Sequence, residues 1–406
     1  MAAAGLDTLD ADLAGSRAAL LALTLKTTLL SVATLGLYSF WARTRVRRWL
    51  WSALRVGGTP FEYLGKPLEK LMGFVIAAAI VATYLGVVVM LLVFAAITLF
   101  QTPGPGIAAA FAMVLPVYWF AQYRGLRYLL NHTRWRGLSF GMEPCAWGYT
   151  WRAILWTALT VVTLGAALPW RTHALWRFRA ARTRYGDAAF RLEGEARPLV
   201  RLWLPIWATG WAVAATAAIW GAQASGGWQD PEANARALGL ITLICAPILV
   251  LLWVRWRVRA FAMLAGAMRY GEGAALSVAP RVGRVIRIHL LGWIVVGTLL
   301  VAILLGLGIA LGVLAVGGLE ALPRSGDLAT VSPYVVAVIG LLAYLTLFLL
   351  RGALRTAFVT YPLIRHVGET LVVSNATEVV STKAGRSRHM ADADGFANLF
   401  DMGAGI

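Results

Sequence analysis

The chain has 406 residues, of which 59% are hydrophobic and 14% charged, with a mean hydropathy of +0.70. Soluble domains carry about a quarter of their residues as charges, so this composition excludes a water-soluble fold. The formal charge of +18 reads as a lipid-headgroup signal rather than a nucleic-acid one, because the arginines interleave with tryptophans beside apolar segments.

An α-helix needs roughly 20 apolar residues to cross ~30 Å of hydrocarbon. Segment one covers 18–41 with Lys26 inside it, and a basic stretch from Arg43 to Trp51 follows at once. Segment two, 71–100, turns through Gln101-Thr-Pro-Gly-Pro-Gly106 into segment three, which ends near Leu130; the uncharged, turn-forming connection predicts a helical hairpin. Segment four, 153–170, is bracketed by Arg152 and Arg171. Segment five, 202–222, turns through Gly226-Gly-Trp-Gln-Asp-Pro231 into segment six, 237–254; segments seven and eight are 288–317 and 334–350. Membrane β-barrels read as segments of about ten alternating residues. None is apparent, so the expected fold is all-α, a polytopic transmembrane helix bundle.

A shift of 129 residues superposes Thr34-Leu35-Gly36 and Trp41 on Thr163-Leu164-Gly165 and Trp170. It also places Arg48, Arg55, Gly57, Phe61 and Gly65 on Arg177, Arg184, Gly186, Phe190 and Gly194. That many matches in one ungapped register predict an internal repeat. The expected organisation is a polar N-terminus at 1–17, repeat units at 18–140 and 141–275, a divergent hairpin at 276–364 and a polar cytoplasmic tail at 365–406.

Charge placement sets the expected topology. The linkers after segments one, three, four and six carry seven, five, eight and seven basic residues, and the tail carries six. The connections after segments two, five and seven carry none, one and one. Basic loops stay on the cytoplasmic side. If all eight segments crossed, the basic linkers on either side of segment four would fall on opposite faces. The conflict disappears if six segments cross while segments one and four enter and leave on the same face. Only 18 residues separate Arg152 from Arg171, and 16 separate Lys26 from Arg43. Gly36, Gly165 and Pro169 are the candidate helix breaks. Breaks in corresponding positions of two repeats point to a binding site between them.

No HExxH, GxSxG, Walker A or CxxC motif occurs, and Cys145 and Cys245 lack partners at metal-ligand spacing. No cofactor, metal site or enzymatic activity is expected. The remaining candidates are Arg43, Arg45, Arg47, Arg48 and Trp49, and then Arg171, Arg177 and Arg179. Arginine grips phosphate bidentately and tryptophan prefers the headgroup level, so anionic phospholipid is the expected partner.

The stretch Thr34-Leu-Gly-Leu-Tyr-Ser-Phe-Trp-Ala-Arg-Thr-Arg-Val-Arg-Arg48, followed by Gly58-Thr-Pro-Phe-Glu-Tyr-Leu-Gly65, resembles the YjgN-like family of bacterial inner-membrane proteins, a domain of unknown function. The tail Ala391-Asp-Ala-Asp-Gly-Phe-Ala-Asn-Leu-Phe-Asp401 is similar to that family's usual ending. The resemblance implies a multi-pass inner-membrane location with a cytoplasmic C-terminus and transfers no catalytic residue. Two functions compete: a carrier, channel or lipid-handling protein with a site between repeats, and a non-enzymatic scaffold whose basic inner face binds anionic lipids or a cytoplasmic partner.

Overall fold

The computed structural model describes residues 8–223, 231–321 and 333–382. The turn at 226–230 and the tail motif at 391–401 lie outside the described residues. Strand β1 (Thr8–Leu13) leads into α1 (Arg17–Ala33) and α2 (Ser39–Ala53), and the hairpin β2 (Leu54–Val56) and β3 (Thr59–Tyr63) follows. Next come α3 (Pro67–Thr83), a π-helical stretch at Tyr84–Val89, α4 (Met90–Phe100) and α5 (Gly104–Asn131). The hairpin β4 (Thr133–Trp135) and β5 (Leu138–Met142) precedes α6 (Ala146–Val162) and α7 (Leu168–Ala180). The hairpin β6 (Thr183–Tyr185) and β7 (Ala188–Leu192) precedes α8 (Arg197–Gln223) and α9 (Pro231–Gly266). The hairpin β8 (Met268–Tyr270) and β9 (Ala274–Val278) precedes α10 (Val282–Ala321) and α11 (Pro333–Arg355). Helix α11 continues through Thr356–Thr360 into α12 (Tyr361–Gly368), followed by β10 (Leu371–Ser374) and α13 (Ala376–Ser381).

Six helical stretches are long and apolar enough to cross a bilayer: Pro67–Phe100, Gly104–Asn131, Arg197–Trp220, Gly239–Gly266, Val282–Gly306 and Gly340–Gly368. They make the chain a membrane protein. Small residues bring neighbouring helices together, as is usual where no hydrophobic effect drives association. A Cβ on Gly106 of α5 would stand 2.4 Å from the Leu92 carbonyl oxygen of α4, and one on Gly292 of α10 would stand 2.7 Å from that of Phe358.

The expected all-α bundle is wrong in one major respect. The ten strands form a single closed antiparallel barrel in the order β1-β10-β9-β8-β7-β6-β5-β4-β3-β2. The linkers read as basic connections are its hairpins. Each hairpin is too short to be stable alone. Closure satisfies the strand edges, which an open sheet of this kind would leave unpaired.

Side chains alternate across the barrel wall. Leu9, Ala11, Val56, Trp135, Tyr185, Phe190, Tyr270, Ala274 and Val373 fill the interior, with Phe61 and Phe140 packed against them. Hydroxyl and indole donors step around the wall: Trp135 Nε1 donates to the Thr59 carbonyl at 3.2 Å, Tyr185 Oη to that of Trp135 at 3.0 Å, and Tyr270 Oη to that of Tyr185 at 2.7 Å. Burial pushes the Tyr185 hydroxyl up to about 12, so it remains a donor. On the outside, the arginine preceding each ring has a carboxylate partner: Arg134 with Glu62, Arg184 with Glu143 and Arg269 with Glu193.

Helix α13 packs on the same core through Ala376, Val379 and Val380. Its Glu378 carboxylate accepts the backbone N–H groups of Glu272, Gly273 and Ala274 at the β8–β9 turn, the last two at 2.8 Å. Burial alone would raise the Glu378 pKa, but these donors and the Arg191 charge outweigh it and hold the carboxyl below its ordinary value.

The chain divides into two compact units, one of residues 1–11, 56–282 and 370–406, the other of 12–55 and 283–369. In the second unit α1 packs against α2 and α11. The face of α1 so used carries Leu20, Thr24, Thr27 and Ser31, all buried, and the three hydroxyls donate to carbonyls of their own helix. Leu20, Leu50 and Tyr361 form that unit's core, and the Tyr361 hydroxyl donates to the Gly15 carbonyl at 2.6 Å.

Candidate functional site

Segments one and four are each resolved into two helices around a break. Helix α6 ends in a Schellman motif: Gly165 N–H donates to the Thr160 carbonyl at 2.7 Å and Leu164 N–H to that of Val161 at 2.9 Å. Leu164 and Gly165 take positive φ values of 51° and 91°. Helix α1 ends in the same way, with Gly36 N–H to Ser31 and Leu35 N–H to Val32, at φ values of 92° and 51°. In both, the threonine before the break accepts a backbone N–H beyond it: Thr163 Oγ1 from Ala167 at 3.1 Å and Thr34 Oγ1 from Tyr38 at 2.9 Å. The leucines at the tips are turned outward, Leu35 71% and Leu164 61% exposed.

Gly36 and Gly165 stand in the turns between the paired helices. Pro169 stands beyond the second of these turns. It sits in the first turn of α7, where its missing N–H costs nothing, and it starts the second helix rather than ending the first.

The α6–α7 break has a second layer. Trp203, Trp207 and Trp211 lie one helical turn apart on α8, so one face of that helix presents three indole N–H groups. Trp203 donates to the Gly165 carbonyl at 3.0 Å, while Trp207 and Trp211 donate to the Leu164 carbonyl at 3.0 and 3.1 Å. Carbonyls freed by a helix end normally turn to water. Here aromatic donors satisfy them.

The arginines of this helix pair differ from those of the barrel. Arg152 of α6 and Arg171, Arg177 and Arg179 of α7, with Arg182 just beyond, form no ion pair with a carboxylate among the described residues. They lean instead on rings and carbonyls. Arg152 and Arg182 both lie over the Phe178 ring, at 4.7 and 3.6 Å, and Arg179 over Trp176 at 5.4 Å. Arg182 donates to the Phe178 carbonyl at 3.2 Å and Arg152 to that of Gly148 at 3.0 Å.

Arg171 is half-buried. Its Nε–H is buried without a hydrogen-bond partner. The hydroxyls of Tyr149 and Tyr118 act on it electrostatically. Tyr149 is buried, donates to Gln122 Oε1 at 2.9 Å, and feels the charges of Arg179 and Arg171. Arg177 is exposed, and His173 Nε2 lies 3.1 Å from the Gly194 carbonyl.

The α2 set belongs to the second unit. Arg45 and Arg48 are exposed; Arg43, Arg45 and Arg47 lie over the rings of Phe40, Tyr38 and Trp51 at 6.0, 5.5 and 6.0 Å. Trp49 stacks obliquely on Tyr361 and touches Gly15, so it is a packing residue. Sequence reasoning missed Tyr118, Gln122, Tyr149 and the three indoles. The spacing of Trp203, Trp207 and Trp211 was a legible signal; the approach of α5 to α6 was not.

A family model described as a bacterial protein of unknown function (DUF898) matches residues 8–317. The chain belongs to that family, the same one to which the stretches 34–48 and 58–65 point. Neither a curated protein nor a solved structure matches it.

Proposed function

We propose that this member of the family is a lipid-handling protein of the bacterial inner membrane, without enzymatic activity. Its barrel stands on the cytoplasmic side, and the helix pair α6–α7 dips into the cytoplasmic leaflet and returns. Every candidate span begins or ends next to a barrel strand or its flanking helix, and so does each helix pair: β5 precedes α6 and β6 follows α7. The basic residues concentrate at that end of the spans, which the positive-inside rule assigns to the cytoplasm. The two pairs are read as copies of one duplicated unit because their breaks share backbone angles and hydrogen bonds.

The observation that carries the reading is the indole capping of the α6–α7 break, with exposed leucine at the tip and unpaired arginine on the returning helix. An apolar tip, a capped break and a basic stem suit a helix pair that enters lipid and meets headgroups. The barrel interior is filled with aromatic side chains, so lipid would be handled along the helices rather than through the barrel.

The test is bound phospholipid per chain after mild extraction. Replacing Arg43, Arg47 and Arg48 by Lys keeps the charge but loses bidentate phosphate recognition. Reduced retention at equal insertion is expected. Equal retention there, and in the corresponding Lys variant of Arg171, Arg177 and Arg179, would leave the basic helices as anchors of a scaffold.

A further inference from the structure

Within the α5, α6 and α7 layer Arg171 and Arg182 each hold a buried Nε–H without a hydrogen-bond partner, but Arg182 also donates to the Phe178 carbonyl and lies over that ring, whereas Arg171 makes neither contact. The Arg171 guanidinium has a buried Nε–H with no hydrogen-bond partner and no ion-pairing carboxylate among the described residues. Such a charge is normally costly, since drawing an unpaired ion out of water opposes folding. It is tolerated where a ligand supplies the counter-charge.

The groups around it are of one kind. Tyr149 and Tyr118 bring phenolic hydroxyls, Gln122 brings an amide on the Tyr149 hydroxyl, and Arg179 adds a second positive charge acting on Tyr149. Donors predominate and carboxylates are absent, the composition of an anion cradle. The cradle lies on the helix pair whose break is capped by indoles, so its ligand arrives from the membrane.

We propose that Arg171, with Tyr149, Tyr118, Gln122 and Arg179, holds the phosphate of one anionic phospholipid. The inference rests on the lipid-handling reading but commits to one site. The guanidinium takes two phosphate oxygens, the Tyr118 hydroxyl donates to the same group, Tyr149 gives its proton to the phosphate only by exchanging it from Gln122 Oε1, and the acyl chains lie along the apolar surface of the helices.

The experiment uses the full-length protein in a lipid-free mild detergent, titrated with phosphatidylglycerol and, in parallel, with inorganic phosphate. Thermal unfolding reports binding, because a ligand of the native state raises its stability. The wild type should gain stability with phosphatidylglycerol and not with phosphate. Arg171→Gln should be at least as stable as wild type without lipid, since it relieves a buried unpaired charge. It should bind phosphatidylglycerol at least roughly tenfold more weakly. Arg171→Lys and Tyr149→Phe, both conservative in shape, guard against a misfolded Gln variant and should also weaken binding.

An equal lipid-induced shift in wild type and Arg171→Lys or Arg171→Gln would overturn the site. A shift produced by inorganic phosphate alone would overturn the lipid source. If the Arg171 variants bind normally while the Arg43, Arg47 and Arg48 variant loses lipid, this inference fails and the broader reading stands. Loss at Arg171 with unchanged retention in the α2 variant would place recognition on α7 alone.

Discussion

Replacing Trp207 and Trp211 by phenylalanine, singly and together, tests whether the α6–α7 break is shielded from water. Both indoles donate to the Leu164 carbonyl, at 3.0 and 3.1 Å. A carbonyl oxygen has two acceptor sites, so either donor alone keeps it satisfied. Each single variant should lose about 0.5–1 kcal/mol from its hydrogen bond, beyond the loss of ring area. The double variant orphans the oxygen, and an unsatisfied group away from water costs about 1–3 kcal/mol. The ring-area terms cancel in a double-mutant cycle, leaving a coupling of about 1 kcal/mol or more. The assay is reversible unfolding in bicelles or bilayers, where the lipid environment is retained. Additivity within about 0.5 kcal/mol would mean that water reaches Leu164, and the argument that the break lies in lipid would fail.

Gly36→Leu and Gly165→Leu should each lose about 1–3 kcal/mol because a side chain is forced to positive φ; the two losses should be similar, since a Cβ at Gly165 makes only ordinary contact with Trp207 at 3.6 Å and one at Gly36 meets nothing within 4 Å. Equal, near-zero effects on folded yield would refute the break. Single cysteines at Ser139 and Arg191, in a background with Cys145 and Cys245 replaced by Ser, should react with an impermeant reagent in inside-out vesicles and not in intact cells; labelling of cells would reverse the orientation. Tyr270→Phe removes bonds to Tyr185 and Thr382 inside the barrel and should cost about 1–3 kcal/mol in thermal unfolding; an unchanged melting temperature would show that the ladder does not hold the barrel. Because the folded Glu378 pKa lies below its ordinary 4.5, the cap it forms is present above that value and lost as pH falls through the lowered one. The protection of the Glu272, Gly273 and Ala274 amides, measured against their intrinsic exchange rate at each pH, should fall at acid pH in the wild type and show no such transition in Glu378→Gln; identical profiles would dismiss the cap.

The spans and breaks were legible because they depend on local chemistry. A run of apolar residues such as 71–100 needs a helix in lipid whatever its neighbours do. Thr-Leu-Gly at 34–36 and 163–165 ends a helix through its own backbone bonds. The arginines of α7 were likewise visible, as residues too basic to sit in hydrocarbon without a purpose.

The barrel was not legible, although its signature recurs in Leu54-Arg55-Val56, Thr133-Arg134-Trp135, Thr183-Arg184-Tyr185 and Met268-Arg269-Tyr270. Three residues carry too little period-two alternation to outweigh their basic, headgroup-like composition. A hairpin of this size is unstable until others close around it, so its existence is a property of the assembled ring and of no single stretch. The counter-charges were decided at the same level. Arg184 finds Glu143 at the end of the neighbouring strand while Arg171, on the preceding helix, has only the hydroxyls of Tyr149 and Tyr118 nearby. Sequence alone determined where the chain enters lipid, where its helices break and where its arginines lie. Tertiary structure decided which of those arginines are neutralised, because that depends on which distant carboxylates packing brings within a few ångströms.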